Sequence, residues 1–89
     1  MQEEAKLQAK IIRYLEKHCY CRKIISANKA GTPDIFCCVK GHFVAVEIKS
    51  SNGIQSELQK YNQKSIEKNG GKYFLINNYE EFLINFNNL

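Results

Sequence analysis

Hydrophobic and polar residues repeat with two different periods along the chain, and the changes of period predict its elements. From residue 3 to about residue 18 the apolar positions recur at helical spacing, and they are Leu7, Ile11, Tyr14, Leu15 and His18. Shorter stretches, at residues 23–27, 34–39, 43–49 and 72–76, have the length and composition of strands. Helical patterns return at residues 54–69, before Gly70-Gly71, and at residues 79–86.

The connections between these stretches complete the predicted architecture. Gly31 and Pro33 mark residues 28–33 as a loop, Lys40-Gly41-His42 indicates a tight hairpin, and residues 51–53 form a loop able to cap the next helix. The order α-β-β-β-α-β-α predicts a three-strand meander and a fourth strand that pairs in parallel after a helical crossover. We therefore expect an α/β fold with a mixed four-stranded sheet flanked by helices, as one domain over residues 1–89.

Composition places this domain among soluble globular proteins. Of its 89 residues, 44% are hydrophobic and 25% charged. No stretch approaches the roughly 18 apolar residues of a membrane span, and the chain starts with charged residues instead of an apolar export segment. These features predict a cytoplasmic protein without a membrane partner.

The four cysteines, Cys19, Cys21, Cys37 and Cys38, allow two interpretations. Without an export segment disulfides are not expected, and Cys37 and Cys38 lie in an apolar run typical of core residues. A zinc site with His18 and His42 is the alternative, although C-x-C and C-C spacings differ from the paired C-x-x-C of structural zinc sites.

The basic residues give a formal charge of +4 and recur in two helical stripes. One comprises Lys6, Lys10, Arg13 and Lys17, and the other Lys60, Lys64 and Lys68. Each stripe is either a solvated face or a surface for a polyanion such as nucleic acid.

The stretch from Phe43 to Lys49 contains the candidate chemistry. Side chains alternate between the two faces of a strand, so one apolar face carries Val44, Val46 and Ile48, and the other carries Phe43, Ala45, Glu47 and Lys49. In a hairpin that turns near Gly41, position 34 pairs roughly with position 48, which brings Asp34 beside Glu47. Two adjacent carboxylates repel each other unless a cation lies between them.

Mg²⁺ suits such a pair because it prefers oxygen ligands and keeps several waters, and the Ile48 carbonyl could supply another oxygen. Lys49 would then face the same space and steady a phosphate's charge. Taken singly, the residues have simpler explanations: Pro33-Asp34 is common in turns, and Glu47 and Lys49 could be an exposed ion pair. Their combined spacing favours a metal-dependent site.

Gly31-Thr32-Pro33-Asp34 followed by Val46-Glu47-Ile48-Lys49 resembles the PD-(D/E)xK nuclease signature, in the form of the virus-type replication-repair nuclease domain, VRR-Nuc. The resemblance covers nearly the whole chain. It implies a DNA endonuclease that uses Mg²⁺ or Mn²⁺, with Asp34 and Glu47 as metal ligands and Lys49 as the catalytic lysine.

The resemblance also assigns residues on the two long helices. The family's glutamate in the first helix matches Glu4, with Glu3 as the weaker candidate, and would orient metal-bound water. The family's glutamine in the second helix matches Gln59, chosen among Gln55, Gln59 and Gln63 on one stripe, and would support Lys49 or contact a phosphate.

Stand-alone phage members of the family resemble Holliday-junction resolvases, which implies branched DNA, a homodimer and a bacterial or phage-infected host cell. Residues expected to contact DNA are Lys10, Arg13, Lys29, Lys60 and Lys64. The apolar surface near Phe82 and Phe86 could be buried on dimerisation. Open alternatives are a nuclease for flaps, nicks or linear duplex, a DNA-binding module that does not cut, and a protein-interaction domain that uses Phe82, Leu83 and Phe86.

Overall fold

The elements of the computed structural model, which describes residues 2–89, follow the predicted order. Three helices and four strands alternate as α1 (Gln2–His18), β1 (Tyr20–Lys23), β2 (Ile35–Val39), β3 (His42–Ile48), α2 (Glu57–Lys68), β4 (Lys72–Ile76) and α3 (Tyr79–Asn87). The expected α/β fold class is confirmed.

The sheet has the order β1-β2-β3-β4, with antiparallel pairing among the first three strands and parallel pairing of β3 with β4. Two residues, Lys40 and Gly41, turn the β2–β3 hairpin with φ angles of 52° and 86°. Two consecutive residues with positive φ are the requirement of a type I′ turn, which matches the twist of the flanking strands. This tight turn fixes which residues of β2 and β3 face each other.

The position of β1 differs from the prediction. The expected strand at residues 23–27 is instead Tyr20–Lys23, and Ile25 is 88% exposed. Only Cys21 of β1 is buried, opposite Cys37 on β2. Only one small thiol of β1 contacts the core, so the hydrophobic pattern of residues 20–23 is weak. The neighbouring Ile24-Ile25 pair is a stronger strand signal, and it shifted the predicted strand.

Helices α1 and α3 cover one face of the sheet and form the core with it. Ile11, Leu15 and Phe82 are fully buried there, together with the alternate residues of the strands. The burial of Phe82 overturns both its use in a protein-interaction surface and the expectation that dimerisation would cover it. His18 is exposed, although its ring stacks on Tyr14 at 4.1 Å between centroids.

The cysteines divide according to strand alternation. Cys21 and Cys37 are buried on the core face, whereas Cys38 is exposed on the opposite face, which corrects its expected place in the core. In the part of the chain that the structure describes, no cluster of three or more His, Cys, Asp or Glu side chains could hold a metal ion. The zinc alternative therefore has no support.

Helix α2 lies on the other face of the sheet and has no buried residue. Its N-cap is Ser56, which corrects the expectation that residues 51–53 cap it. A close approach fixes its first turn: Gly31 has a φ of +84°, and a Cβ atom there would lie 2.7 Å from the Leu58 carbonyl carbon. No helix among residues 2–89 has the length and apolar character needed to cross a membrane.

Candidate active site

Asp34 and Glu47 meet where β2 begins and β3 ends. Ile35 pairs with Val46, and one further step of this antiparallel register sets Asp34 opposite Glu47. The sequence predicted a partner near position 48, within one register step, and the two-residue turn at Lys40 and Gly41 sets that partner at Glu47. Both carboxyl groups lie on the face of the sheet that carries α2.

The Asp34 carboxylate is held by backbone. Its Oδ2 oxygen accepts a hydrogen bond of 2.8 Å from the Ile48 N–H, and its own carbonyl accepts one of 2.8 Å from the Ile24 N–H. Burial raises the pKa of Asp34, whereas the Ile48 N–H and the charge of Lys49 lower it. The side chain is thereby fixed in orientation while its Oδ1 oxygen stays outside this hydrogen bond.

Glu47 is the buried charged residue of the described chain, with 3% of its surface exposed. The pKa of Glu47 is raised to about 7, mainly by burial and also by the negative charge of Asp34, while the positive charge of Lys49 opposes the shift. Its Oε1 oxygen is buried without a hydrogen-bond partner among the described residues. A buried oxygen without a donor is costly, so this position calls for a proton or a cation.

The second carboxylate oxygen of Glu47 accepts a hydrogen bond from Gln59 of α2. Gln59 Nε2 donates to Glu47 Oε2 at 2.8 Å, and Gln59 Oε1 accepts from the Ser56 N–H at 2.8 Å. The Ser56 hydroxyl in turn accepts from the Gln59 N–H at 3.1 Å, which completes a capping box. Because a backbone N–H can only donate, the cap fixes the Gln59 oxygen away from Glu47 and directs its NH₂ group to the carboxylate.

The neighbouring glutamines have a different partner. Gln55 Nε2 donates to the Tyr73 hydroxyl at 3.1 Å and to Gln63 Oε1 at 3.0 Å. Of the three glutamines in the stripe, Gln59 is thus the one that contacts Glu47. The sequence carried a signal for this choice that the stripe does not contain, since Ser56-x-x-Gln59 has the spacing of a capping box.

Lys49 follows β3 and turns its ammonium group back to the carboxylates. Its Nζ atom lies 3.8 Å from Glu47 Oε2, and 22% of its side chain is exposed. Gly53 packs on its stem, since a Cβ atom at Gly53 would lie 3.1 Å from Lys49 Cβ. The ammonium therefore stands at the border between the buried carboxylate and solvent.

Glu4 reaches the same region from the first turn of α1. Its Oε2 oxygen accepts a hydrogen bond of 2.8 Å from the Ser50 N–H, which ties α1 to the loop after Lys49. Burial is the main cause of the raised pKa values of Asp34 and Glu47, and the negative charge of Glu4 raises both pKa values further. Glu3 is exposed, so the structure brings Glu4 to this loop.

The five basic residues expected to contact DNA are not brought together. Lys10 lies over the Tyr79 ring at 4.2 Å on the α1–α3 side of the sheet, and Lys60 pairs with Glu57 at 3.2 Å on α2. Arg13, Lys29 and Lys64 are exposed. The two stripes therefore lie on helices that cover opposite faces of the sheet.

Comparison with known proteins finds a solved structure with the same fold. No protein-family model and no curated protein matches the sequence. A solved structure named "VRR_NUC domain" superposes with a TM-score of 0.77 and 21% sequence identity, over 89% of this chain and 88% of that one. The chain therefore has the VRR-Nuc fold, as its Gly31–Asp34 and Val46–Lys49 motifs predicted.

Proposed function

We propose that this chain is a metal-dependent endonuclease that hydrolyses phosphodiester bonds in DNA, with branched DNA as its substrate. The observation that carries the proposal is the pair Asp34 and Glu47, joined by Lys49 and left with a buried carboxylate oxygen that has no donor among the described residues. The VRR-Nuc fold supports it, because the motif that matches the nuclease signature occupies this site.

The carboxylates fit Mg²⁺ or Mn²⁺. Glu47 Oε1 lacks a partner in the described chain, and the backbone engages only Oδ2 of Asp34, so one oxygen of each carboxylate is left for a cation. The Ile48 carbonyl is the third candidate, because the Ile48 N–H points to Asp34 and both groups of an extended residue lie on the same side of its strand. Two carboxylates with waters and a substrate phosphate are the usual surroundings of Mg²⁺.

The chemistry of the site follows from what its side chains can hold. A bound divalent cation supplies charge that polarises a phosphate and acidifies a coordinated water. The Lys49 ammonium stabilises the negative charge that grows on the phosphate or holds the attacking water. Gln59 keeps Glu47 in one rotamer, and Glu4 holds the loop after Lys49 through the Ser50 N–H. No side chain needs to form a covalent intermediate.

The assembly that we propose is a homodimer. Resolution of a four-way junction needs two symmetric nicks, and a two-fold dimer sets two identical centres at a fixed spacing. Sedimentation equilibrium at micromolar concentration tests it. A single-chain mass at all concentrations, with undiminished junction cutting, would favour a monomeric nuclease that acts on flaps or nicks.

Cleavage of a labelled four-way junction, with and without Mg²⁺, tests the function. We expect metal-dependent cutting by the wild type, and no cutting but retained junction binding by Glu47→Ala. The matched control is Glu57→Ala, which removes an exposed glutamate of α2. Cutting by Glu47→Ala at the wild-type rate would refute the site. Binding without cutting by the wild type under all metals would instead identify a DNA-binding module.

A further inference from the structure

An open aromatic surface continues from the carboxylate pair along the face of the sheet that α2 covers only in part. Helix α2 packs mainly on β4 and reaches β3 through the bond from Gln59 to Glu47, and it makes no comparable contact with β1 or β2. We name this surface the aromatic shelf, and it consists of Tyr20, Arg22, Phe36, Cys38 and Phe43. Tyr20 is 62% exposed and Phe43 42% exposed, which is unusual for aromatic residues of a central sheet.

Strand register sets the shelf directly beside the candidate active site. Phe36 lies two residues after Asp34 on the same face of β2, a separation of about 7 Å. It pairs with Ala45 on one side and with Arg22 on the other. The next pairs along the face are Cys38 with Phe43 and with Tyr20. The Phe36 ring therefore lies next to the position at which a phosphate would approach Asp34.

The shape of the shelf suits flat rings. Phe36 and Phe43 meet edge to face with 5.1 Å between their centroids, and they form the floor of a hollow of about 230 Å³. A second hollow of about 310 Å³ adjoins it at Phe43, where Ile66 of α2 and Asn69, which follows that helix, form the wall. Aromatic side chains on an open sheet face bind unpaired bases by stacking, without regard to sequence.

The positive charge at the edge of the aromatic shelf suits a polyanionic ligand. The Arg22 guanidinium lies 4.3 Å from the centre of the Tyr20 ring and donates one hydrogen bond to the Cys21 carbonyl. A guanidinium has five N–H donors, so others remain to contact a phosphate. Lys23 follows at the same edge. Its positive charge lowers the pKa of Asp34, as the smallest contribution after burial, the Ile48 N–H, Lys49 and Glu4.

We propose that the aromatic shelf binds unpaired nucleotides of the strand that is cut, by stacking bases on Phe36, Phe43 and Tyr20 and by holding a phosphate at Arg22. This inference rests on the proposed function and makes it more specific. A nuclease with such a subsite selects DNA in which bases next to the scissile phosphate are unstacked, as they are at flaps, gaps and branch points.

Binding of single-stranded DNA without cleavage tests the inference. Fluorescence anisotropy in EDTA would compare a labelled oligothymidylate of about eight nucleotides with an abasic oligomer of the same length. The wild type should prefer the oligomer that carries bases. Phe43→Ala should weaken its binding between about 5-fold and 100-fold and reduce the preference by the same factor, because it removes one stacking ring and keeps the charge.

Two further variants guard against loss of folding. Tyr20→Ala changes a side chain that is more exposed than Phe43, and it should weaken binding of the oligothymidylate. Arg22→Gln should weaken binding of both oligomers by the same factor, because it removes charge and no stacking ring. The controls are Ile84→Ala, an exposed apolar residue of α3, and Lys17→Gln, a basic residue of α1 outside the shelf. Thermal melts by circular dichroism confirm that each variant folds.

The outcomes are distinct. Shelf variants that fold and bind the oligothymidylate as tightly as the wild type would overturn the inference. Shelf variants that lower the mass in sedimentation equilibrium, with unchanged DNA affinity, would also overturn it and identify the shelf as a contact between copies. If the shelf binds bases but the wild type never cuts DNA, the proposed function fails and the subsite remains.

Discussion

Replacing Glu47 by glutamine should stabilise the metal-free protein above neutral pH. In the wild type, burial and the charge of Asp34 raise the pKa of Glu47 from 4.5 to about 7. A carboxyl group whose pKa is raised on folding stabilises the fold fully below its unfolded pKa, and this contribution is lost as pH rises through the folded pKa. Stability therefore falls between about pH 4.5 and about pH 7.

The magnitude follows from the size of this shift. At about 1.4 kcal/mol for each unit of pKa, the free energy of unfolding should be up to about 3 kcal/mol smaller at pH 8 than at pH 5. Glu47→Gln removes the ionisation but keeps an oxygen that can accept from Gln59. The variant should lose most of this pH dependence and should be more stable than the wild type at pH 8.

Urea denaturation in EDTA at pH 5 and pH 8 provides the measurement. The control is Glu57→Gln, whose glutamate side chain is 91% exposed and which should follow the wild type. Mg²⁺ added at pH 8 should stabilise the wild type but not Glu47→Gln, because a ligand stabilises only the state that binds it. A wild type that is equally stable at both pH values, or a Glu47→Gln variant with the same pH dependence, would refute the reasoning.

Three other predictions follow from the fold and its charge. Gly31→Ala should lower the free energy of unfolding by at least about 1 kcal/mol and impair cleavage, because the positive φ and the contact with Leu58 both oppose a Cβ atom; urea melts and junction assays would show it. Lys40→Asn should stabilise the protein by up to about 1 kcal/mol in the same melts, since Asn-Gly is favoured in a type I′ turn and Lys40 has a φ of 52°. DNA affinity should fall with salt at a log–log slope near −0.9 per phosphate neutralised, and an affinity unchanged from about 50 to 200 mM would contradict a nucleic-acid substrate.

The sequence predicts the order of elements and the meeting of Asp34 with Glu47 because these features depend on local signals. A tight turn at Gly41 sets the register of two neighbouring strands, and period-two alternation sets the face. The choice of Glu4 over Glu3 depends on the rotation of α1 against the sheet, which is a tertiary property. The sequence alone, without the family's pattern, offers no reason to connect α1 with the loop at Ser50.

The aromatic shelf lies beyond sequence-based prediction for a related reason. Phe36 and Phe43 fit a strand whether their face is covered or open, and the pattern of the strands does not differ between the two cases. Only the placement of α2, mainly on β4, leaves Tyr20 and Arg22 uncovered. The error at β1 concealed the shelf as well, since it removed both residues from the predicted sheet.

The absence of any buried residue in α2 has a consequence for how the site forms over time. Local opening requires least free energy where little apolar surface is buried, so α2 can detach from the sheet while α1, α3 and the strands stay folded. Amide protons of residues 61–68 should then exchange with solvent far faster than those of β3. Each opening carries Gln59 away from Glu47, so the carboxylate that the helix orients is free to rotate whenever α2 undocks. The site is preorganised only for the fraction of time in which a weakly held helix is in place.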